Sequence, residues 1–223
     1  MTAAVTPRMR IVSVNVGLPR LVQWQGQTFE TSIFKAPVEG TIPLRTLNLD
    51  GDRQSDLSVH GGPDKAVYGY PIEHYGFWKQ TLERDELPMG AFGENLTMEG
   101  LTEEELSIGD VLRAGTAELM VTQPRIPCFK LNARMKRSDM VKLFLARRRS
   151  GFYFAVLKEG EVGAGDAVQL LDRATERMSV RELTDIYADK ATEVAVLERA
   201  MKLRGLAEVW RQQIGSALAR KQA

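Results

Sequence analysis

Cys128 is the residue of this sequence best suited to covalent or metal chemistry. It is the single cysteine among 223 residues and lies in the segment QPRIPCFKL at 123–131. Two prolines fix the backbone around the thiol, and the charges of Arg125 and Lys130 would stabilise the thiolate, which is the form that attacks electrophiles or binds soft metals. A lone cysteine is also often a small buried apolar side chain. The segment therefore predicts a nucleophile or metal ligand, with a packed cysteine as the alternative.

A second segment, DGDRQSDLSVHGGPDKAV at 50–67, is too polar and too rich in glycine to belong to a core. Gly61 and Gly62 let the backbone turn tightly and bring its N–H groups close to an anion. Three side chains add donors and positive charge: Arg53, His60 and Lys65. The combination suits a phosphate or a pterin, while a solvated loop closed by Asp–Lys pairs is the alternative. In a third segment, GENLT at 93–97, the amide of Asn95 could line the same site or only form a turn.

The elements that must position these segments are mostly strands. Short apolar runs with period-2 alternation, divided by Gly and Pro, extend from residue 10 to about residue 171 and indicate a barrel or sandwich. Besides 12–16, the predicted strands cover 28–34, 41–49, 66–70, 95–98, 111–114, 118–122, 152–157 and 167–171. Helices are predicted from Pro71 and from Ser138. We read the Gly-Asp pairs at 109–110 and 165–166 as structural corners before strands.

After residue 171 the apolar period changes to that of a helix. Ser179 and Glu182 form a capping box, Thr192 can cap a second helix, and Gly205 precedes a third. The third helix has a predicted apolar face of Leu206, Val209, Trp210, Ile214, Ala217 and Leu218. The sequence therefore predicts a mixed α/β, β-rich fold with a barrel domain at 10–172 and a three-helix C-terminal unit at 178–223.

Composition excludes several classes of function. Thirty Lys and Arg residues against 29 Asp and Glu residues give a net charge of +1. This charge is too small to attract nucleic acid or an anionic membrane by the overall electrostatic field of the protein. One cysteine excludes an intramolecular disulfide framework and a cysteine-ligated iron–sulfur cluster. The first 20 residues contain no signal peptide or membrane span, so we expect a cytoplasmic protein.

The motifs, taken together, resemble the MOSC family. They are GDRQ at 51–54, HGGPDKAV at 60–67, GENL at 93–96 and QPRIPCFKL at 123–131, in the family's order. This domain also occurs at the C-terminus of molybdenum-cofactor sulfurases and in mitochondrial amidoxime-reducing proteins. The tail at 178–223 resembles the three-helix extension of the YiiM branch, whose members protect bacteria against N-hydroxylaminopurines. The resemblance covers nearly the whole chain and implies a MOSC-type β-barrel with packing helices.

The resemblance also implies the chemistry: reduction of N-hydroxylated compounds to amines by a molybdenum cofactor (molybdopterin), with Cys128 as catalytic metal ligand. Proton transfer is expected from His60 or Asp64. The expected cofactor-binding residues are Arg53, His60, Gly61, Gly62, Lys65, Asn95, Arg125 and Lys130. No nucleotide-binding glycine fingerprint is present, so a separate flavoprotein reductase is expected to supply electrons, and the tail could contact a second copy of the chain. The alternatives are a cofactor carrier or sulfur-transfer module that uses Cys128, and a binding module without catalysis.

Overall fold

The protein is described by a computed structural model over residues 9–55, 61–189 and 192–222. His60 and the N-terminal residues 1–8 lie outside the described residues, so the predictions about them stay predictions. The strands are β1 (Arg10–Val16), β2 (Arg20–Trp24), β3 (Gln27–Thr31), β4 (Ala36–Pro37), β5 (Thr41–Leu44), β6 (Val67–Pro71), β7 (Leu96–Glu99), β8 (Val111–Ala114), β9 (Ala117–Pro124), β10 (Phe152–Lys158), β11 (Gly160–Gly163) and β12 (Val168–Asp172). The helices are α1 (Glu73–Thr81), α2 (Phe129–Met135), α3 (Met140–Arg147), α4 (Val180–Ala188), α5 (Val194–Met201) and α6 (Glu208–Gln222), with a short 3-10 helix at Pro63–Lys65.

Eight of the strands form one large, mostly antiparallel sheet in the order β12-β8-β9-β10-β6-β7-β1-β4. The pair β6–β7 is parallel, because α1 connects the two strands as a crossover. Near one end, β1 also contacts the residues that lead into β12: Ile11 donates to the carbonyl of Asp166 over 2.9 Å, and Gly165 donates to that of Ile11 over 2.8 Å. Among the described residues this contact does not become a continuous ladder, so the predicted closure into a barrel is unconfirmed.

The strands with clear alternation were predicted well, and the differences have local causes. β8 has the predicted bounds, while the predicted strand 41–49 ends at Leu44. The hairpin β2–β3 was missed as a pair, since its side chains are largely exposed and carry a weak apolar pattern. Its two-residue turn, Gln25-Gly26, has φ values of 48° and 78°, as a type I′ turn requires.

The Gly-Asp corners act structurally, as predicted. Gly109 and Gly165 have φ values of 89° and 93°, a region that strongly favours glycine. The carboxylate of Asp110 accepts hydrogen bonds from the backbone amides of Ser107 and Ala174 over 3.0 Å and 2.9 Å. That of Asp166 accepts from the amide of Gly163 over 2.7 Å. Both aspartates therefore hold turns in place.

The C-terminal helices pack against the sheet instead of forming a core of their own. Their buried side chains, including Leu183, Leu197 and Ile214, belong to the same hydrophobic cluster as those of β8, β9 and β10. The predicted capping box at Ser179 and Glu182 is present. The predicted apolar face of α6 needs two corrections, because Val209 is 41% exposed and Leu206 lies before the helix, which begins at Glu208. Within the described part of the chain, no helix is long and apolar enough to cross a membrane.

Candidate functional site

Cys128 lies where β9 gives way to α2. It is the residue directly before the helix, with an extended backbone (φ −118°, ψ 172°), and its carbonyl accepts from the amide of Leu131 over 2.9 Å. Pro124 and Pro127 lack an N–H and fix the turn between strand and helix. Cys128 is half-buried, so the cysteine is neither sealed in the core nor fully exposed to solvent.

Cys128 lines a cavity of about 680 Å³, a volume that includes the open mouth. We call it the first cavity. Seven of the predicted site residues line it: Arg53, Gly61, Lys65, Asn95, Arg125, Cys128 and Lys130. Residues from 52–65, 92–95 and 125–130 therefore meet at one place although they are far apart in sequence.

Arg125 gives the first cavity a buried positive charge. The residue is 5% exposed, and its guanidinium lies 5.4 Å from the ring centre of Tyr68 and 5.3 Å from that of Phe144. Its Nη1 is buried and has no hydrogen-bond partner among the described residues, and the same is true of Ser32 Oγ in the same cavity. An unsatisfied buried donor costs about 1–3 kcal/mol, and more when it is charged. The position is therefore suited to an anionic acceptor.

Lys65 adds a second cationic side chain beside Cys128. It ends the 3-10 helix Pro63–Lys65, and burial lowers the pKa of its ammonium group although the nearby Asp64 opposes the shift. Gly61 and Gly62 precede this helix with φ values of 89° and 85°, so side chains would be strained at both positions. Gly61 lines the first cavity, whereas Gly62 is the N-cap of the 3-10 helix.

Asn95 lines the first cavity, but its side chain is occupied by the protein. Its Nδ2 donates to Asp52 Oδ2 over 3.0 Å and to the carbonyl of Asn15 over 3.3 Å, while its Oδ1 accepts from the amide of Tyr68 over 3.2 Å. Both N–H bonds of the amide are used. Asn95 therefore holds the walls of the cavity in position. For the direct contact with a cofactor that we predicted, only the second lone pair of its Oδ1 remains available.

The wall around Asp52 depends on a buried ion pair that the sequence did not predict. The carboxylate of Asp52 accepts from Lys35 Nζ and, over 2.8 Å, from the amide of Gly17. Both charged side chains line the first cavity and are nearly inaccessible to solvent. Asp52 lies in the GDRQ motif, but no local pattern identifies Lys35, which reaches the site from the segment between β3 and β4.

Asp64, for which we predicted proton transfer, contacts both α6 and β9. It does not line the first cavity, and its Oδ2 accepts from the amide of Glu208, the first residue of α6, over 3.2 Å. Its carbonyl accepts from Thr122 Oγ1 over 2.6 Å and from Gln123 Nε2 over 3.1 Å. Asp64 therefore joins the glycine-rich loop to β9 and α6.

Comparisons with known proteins identify the family of this chain. The model of the MOSC domain matches residues 56–169. The chain belongs to the MOSC domain family. It is 43% identical over 204 residues to the uncharacterized protein YflK of Bacillus subtilis (strain 168), which is 92% of each chain. A protein of Gibberella moniliformis (strain M3125 / FGSC 7600) named Reductase is 32% identical over 181 residues, 80% of this chain and 32% of that protein.

A solved structure identifies the branch of the family. The crystal structure of YiiM from Geobacillus stearothermophilus superposes with a TM-score of 0.80 at 33% identity, covering 94% of this chain and 99% of that chain. The likeness includes the C-terminal helices, which lie beyond the matched MOSC domain. The chain is therefore a MOSC protein of the YiiM branch.

Proposed function

We propose that this protein reduces N-hydroxylated bases, such as N-hydroxylaminopurines, to the amines with a molybdenum cofactor. One observation carries the proposal: the half-buried Cys128 lines the same cavity as Arg125, whose Nη1 is buried without a partner among the described residues. A soft-metal ligand and an anion site are the two groups that a metal–pterin phosphate requires.

The donor set fits such a cofactor. Cys128 would ligate the metal as the thiolate, and Arg125, Lys65 and Lys130 would hold the phosphate by charge-assisted hydrogen bonds. Among the described residues no group of three or more His, Cys, Asp or Glu side chains could hold a metal ion. Cys128 would thus act together with ligands from the pterin. When bound, the cofactor would supply two-electron redox chemistry at the metal.

Reduction of R–NHOH to R–NH₂ consumes two electrons and two protons and releases water, so the chain must supply or relay protons. Lys65 is suited to this task, because it lies beside Cys128 and burial brings the pKa of its ammonium group closer to neutrality. Arg125 remains protonated and contributes charge only. Proton transfer by His60 remains a prediction, whereas the contact of Asp64 with α6 argues against a direct role for that carboxylate.

Electrons would come from a separate reductase, for which a flavoprotein is our proposal, since the sequence has no nucleotide-binding glycine fingerprint. The relative named Reductase supports redox chemistry in this family, and most of its length lies outside the shared region. We further propose a cytoplasmic location, in whose reducing conditions a thiol such as Cys128 is maintained.

The test is expression in a host that makes the cofactor, followed by measurement of molybdenum per chain and of N-hydroxylaminopurine turnover with a chemical reductant. We expect about one molybdenum per chain and formation of the amine, and Cys128→Ala should abolish turnover while the protein remains folded. Bound cofactor without turnover would favour the carrier or sulfur-transfer alternative. A metal-free protein, or a fully active Cys128→Ala variant, would contradict the proposal.

A further inference from the structure

A second cavity of about 1050 Å³, which includes its open mouth, adjoins the first cavity at Cys128. Five residues line both cavities: Lys65, Ile126, Cys128, Lys130 and Tyr153. The far wall of the second cavity comes from the C-terminal helices, with Tyr187 on α4 and Val209, Trp210 and Gln213 on α6. Cys128 therefore belongs to the walls of both cavities, whereas Arg125 lines the first cavity only.

The second cavity collects exposed apolar side chains. Of the exposed large hydrophobic residues in the described ranges, Phe129, Tyr187 and Val209 all face it, with exposures of 48%, 44% and 41%. The Trp210 ring adds a further aromatic surface, with its centroid 5.9 Å from that of Tyr187. A concave cluster of exposed aromatic side chains beside a reactive group is typical of a small-molecule site.

A hydrogen bond within the protein holds the Trp210 ring in place. Its Nε1 donates to Gln123 Oε1 over 3.0 Å, and Gln123 Nε2 donates to the carbonyl of Asp64. The amide of Gln123 is thereby engaged on both sides. Gln213 lines the second cavity from α6 and is exposed, so its side-chain amide is accessible to a ligand. It offers one donor and one acceptor group, which is the pattern that pairs with the edge of an aminopurine.

We propose that the second cavity binds the planar heteroaromatic ring of the N-hydroxylated substrate. Phe129, Tyr187 and Val209 would contact the ring faces, Gln213 would bind a ring edge, and the N–OH group would point toward the metal held by Cys128. We call this set of four residues the ring site. The inference rests on the proposed function, because it divides the two cavities between cofactor and substrate. It also gives the C-terminal helices a role in substrate selection.

The first experiment compares two substrates in the cofactor-loaded enzyme. N-hydroxylaminopurine carries the ring, whereas hydroxylamine has the same N–OH group without one and is reduced to ammonia and water by the same two electrons and two protons. Tyr187→Ala removes a stacking face and Val209→Trp fills the cavity. For each we expect the ratio of kcat/KM for the purine to that for hydroxylamine to fall roughly 10- to 100-fold, the range of one lost stacking contact. Leu157→Trp is the matched control, since Leu157 is 53% exposed and lies outside both cavities.

The second experiment does not depend on turnover. Adenine, the product of purine reduction, is titrated into the purified protein while the fluorescence of Trp210 is followed, with Trp210→Phe as the probe control. We expect saturable quenching that Val209→Trp abolishes and Leu157→Trp leaves intact. Unchanged substrate ratios and unchanged adenine binding in both ring-site variants would overturn the inference. If the loaded enzyme reduces neither substrate, the proposed function fails, and the titration alone then decides whether the ring site binds a purine.

Discussion

Replacing Asp52 by Ala should destabilise the fold strongly, because it removes the partner of a buried lysine. The side chains of Lys35 and Asp52 are 9% and 1% exposed. Leaving one member of such a pair buried without its partner costs roughly 3–5 kcal/mol. For a protein of this size each kcal/mol lowers Tm by roughly 2–4 °C, so the expected loss is roughly 6–20 °C, measured by thermal melting at neutral pH.

The pH dependence of this variant has a definite sign. Burial lowers the pKa of Lys35 in the folded protein, and Asp52 opposes that shift. Without Asp52 the folded pKa falls further below the unfolded value, so the unfolded state binds more protons in the interval between them. The penalty is therefore full below the folded pKa and is relieved as the pH rises toward the unfolded value of about 10.4. Asp52→Ala should thus regain stability relative to the parent as the pH rises through that interval.

The matched control is Asp50→Ala, which breaks the ion pair with Arg45. In that pair the side chains of Arg45 and Asp50 are 53% and 49% exposed. An exposed pair contributes at most about 1 kcal/mol, so this variant should melt close to the parent. The double variant Lys35→Met/Asp52→Asn removes both charges and should recover much of the loss. If Asp52→Ala melts within the error of Asp50→Ala, the buried pair does not hold the cavity wall as we argue.

Three further predictions concern the site and its supports. Arg125→Met should lower the molybdenum retained after dialysis, because a charge-assisted hydrogen bond contributes roughly 1.5–3 kcal/mol, and full occupancy would locate the phosphate elsewhere. Lys65→Met should lower occupancy similarly and also reduce turnover per bound molybdenum, whereas an unchanged rate would remove Lys65 from proton transfer. Asp64→Ala should lower the free energy of unfolding, measured by chemical denaturation, by about 1 kcal/mol, because the hydrogen bond from the amide of Glu208 is lost, and the turnover rate should be retained. A lower turnover rate with unchanged stability would instead support a catalytic role for Asp64.

The sequence determined the elements whose signals are local. Alternation located β8, the capping box located the start of α4, and the two Gly-Asp pairs were identified as corners. The segments around Cys128 and Lys65 were recognisable because glycine, proline and charged side chains clustered together pack poorly in a core and suit a binding loop. The order of the four motifs along the chain also indicated the family, because that order can be seen in the sequence without a structure.

Contacts between distant parts of the chain were decided by the tertiary structure alone. The Lys35–Asp52 pair, the contact of Asp64 with α6 and the second cavity shared by Tyr187 and Cys128 each join segments that no periodicity relates. Burial makes Lys35 part of the support of a cavity wall, and a hydrogen bond near the surface joins Asp64, which we predicted as a proton-transfer residue, to α6. Both outcomes depend on which atoms surround a charge, and that is fixed only when sheet and helices have packed together.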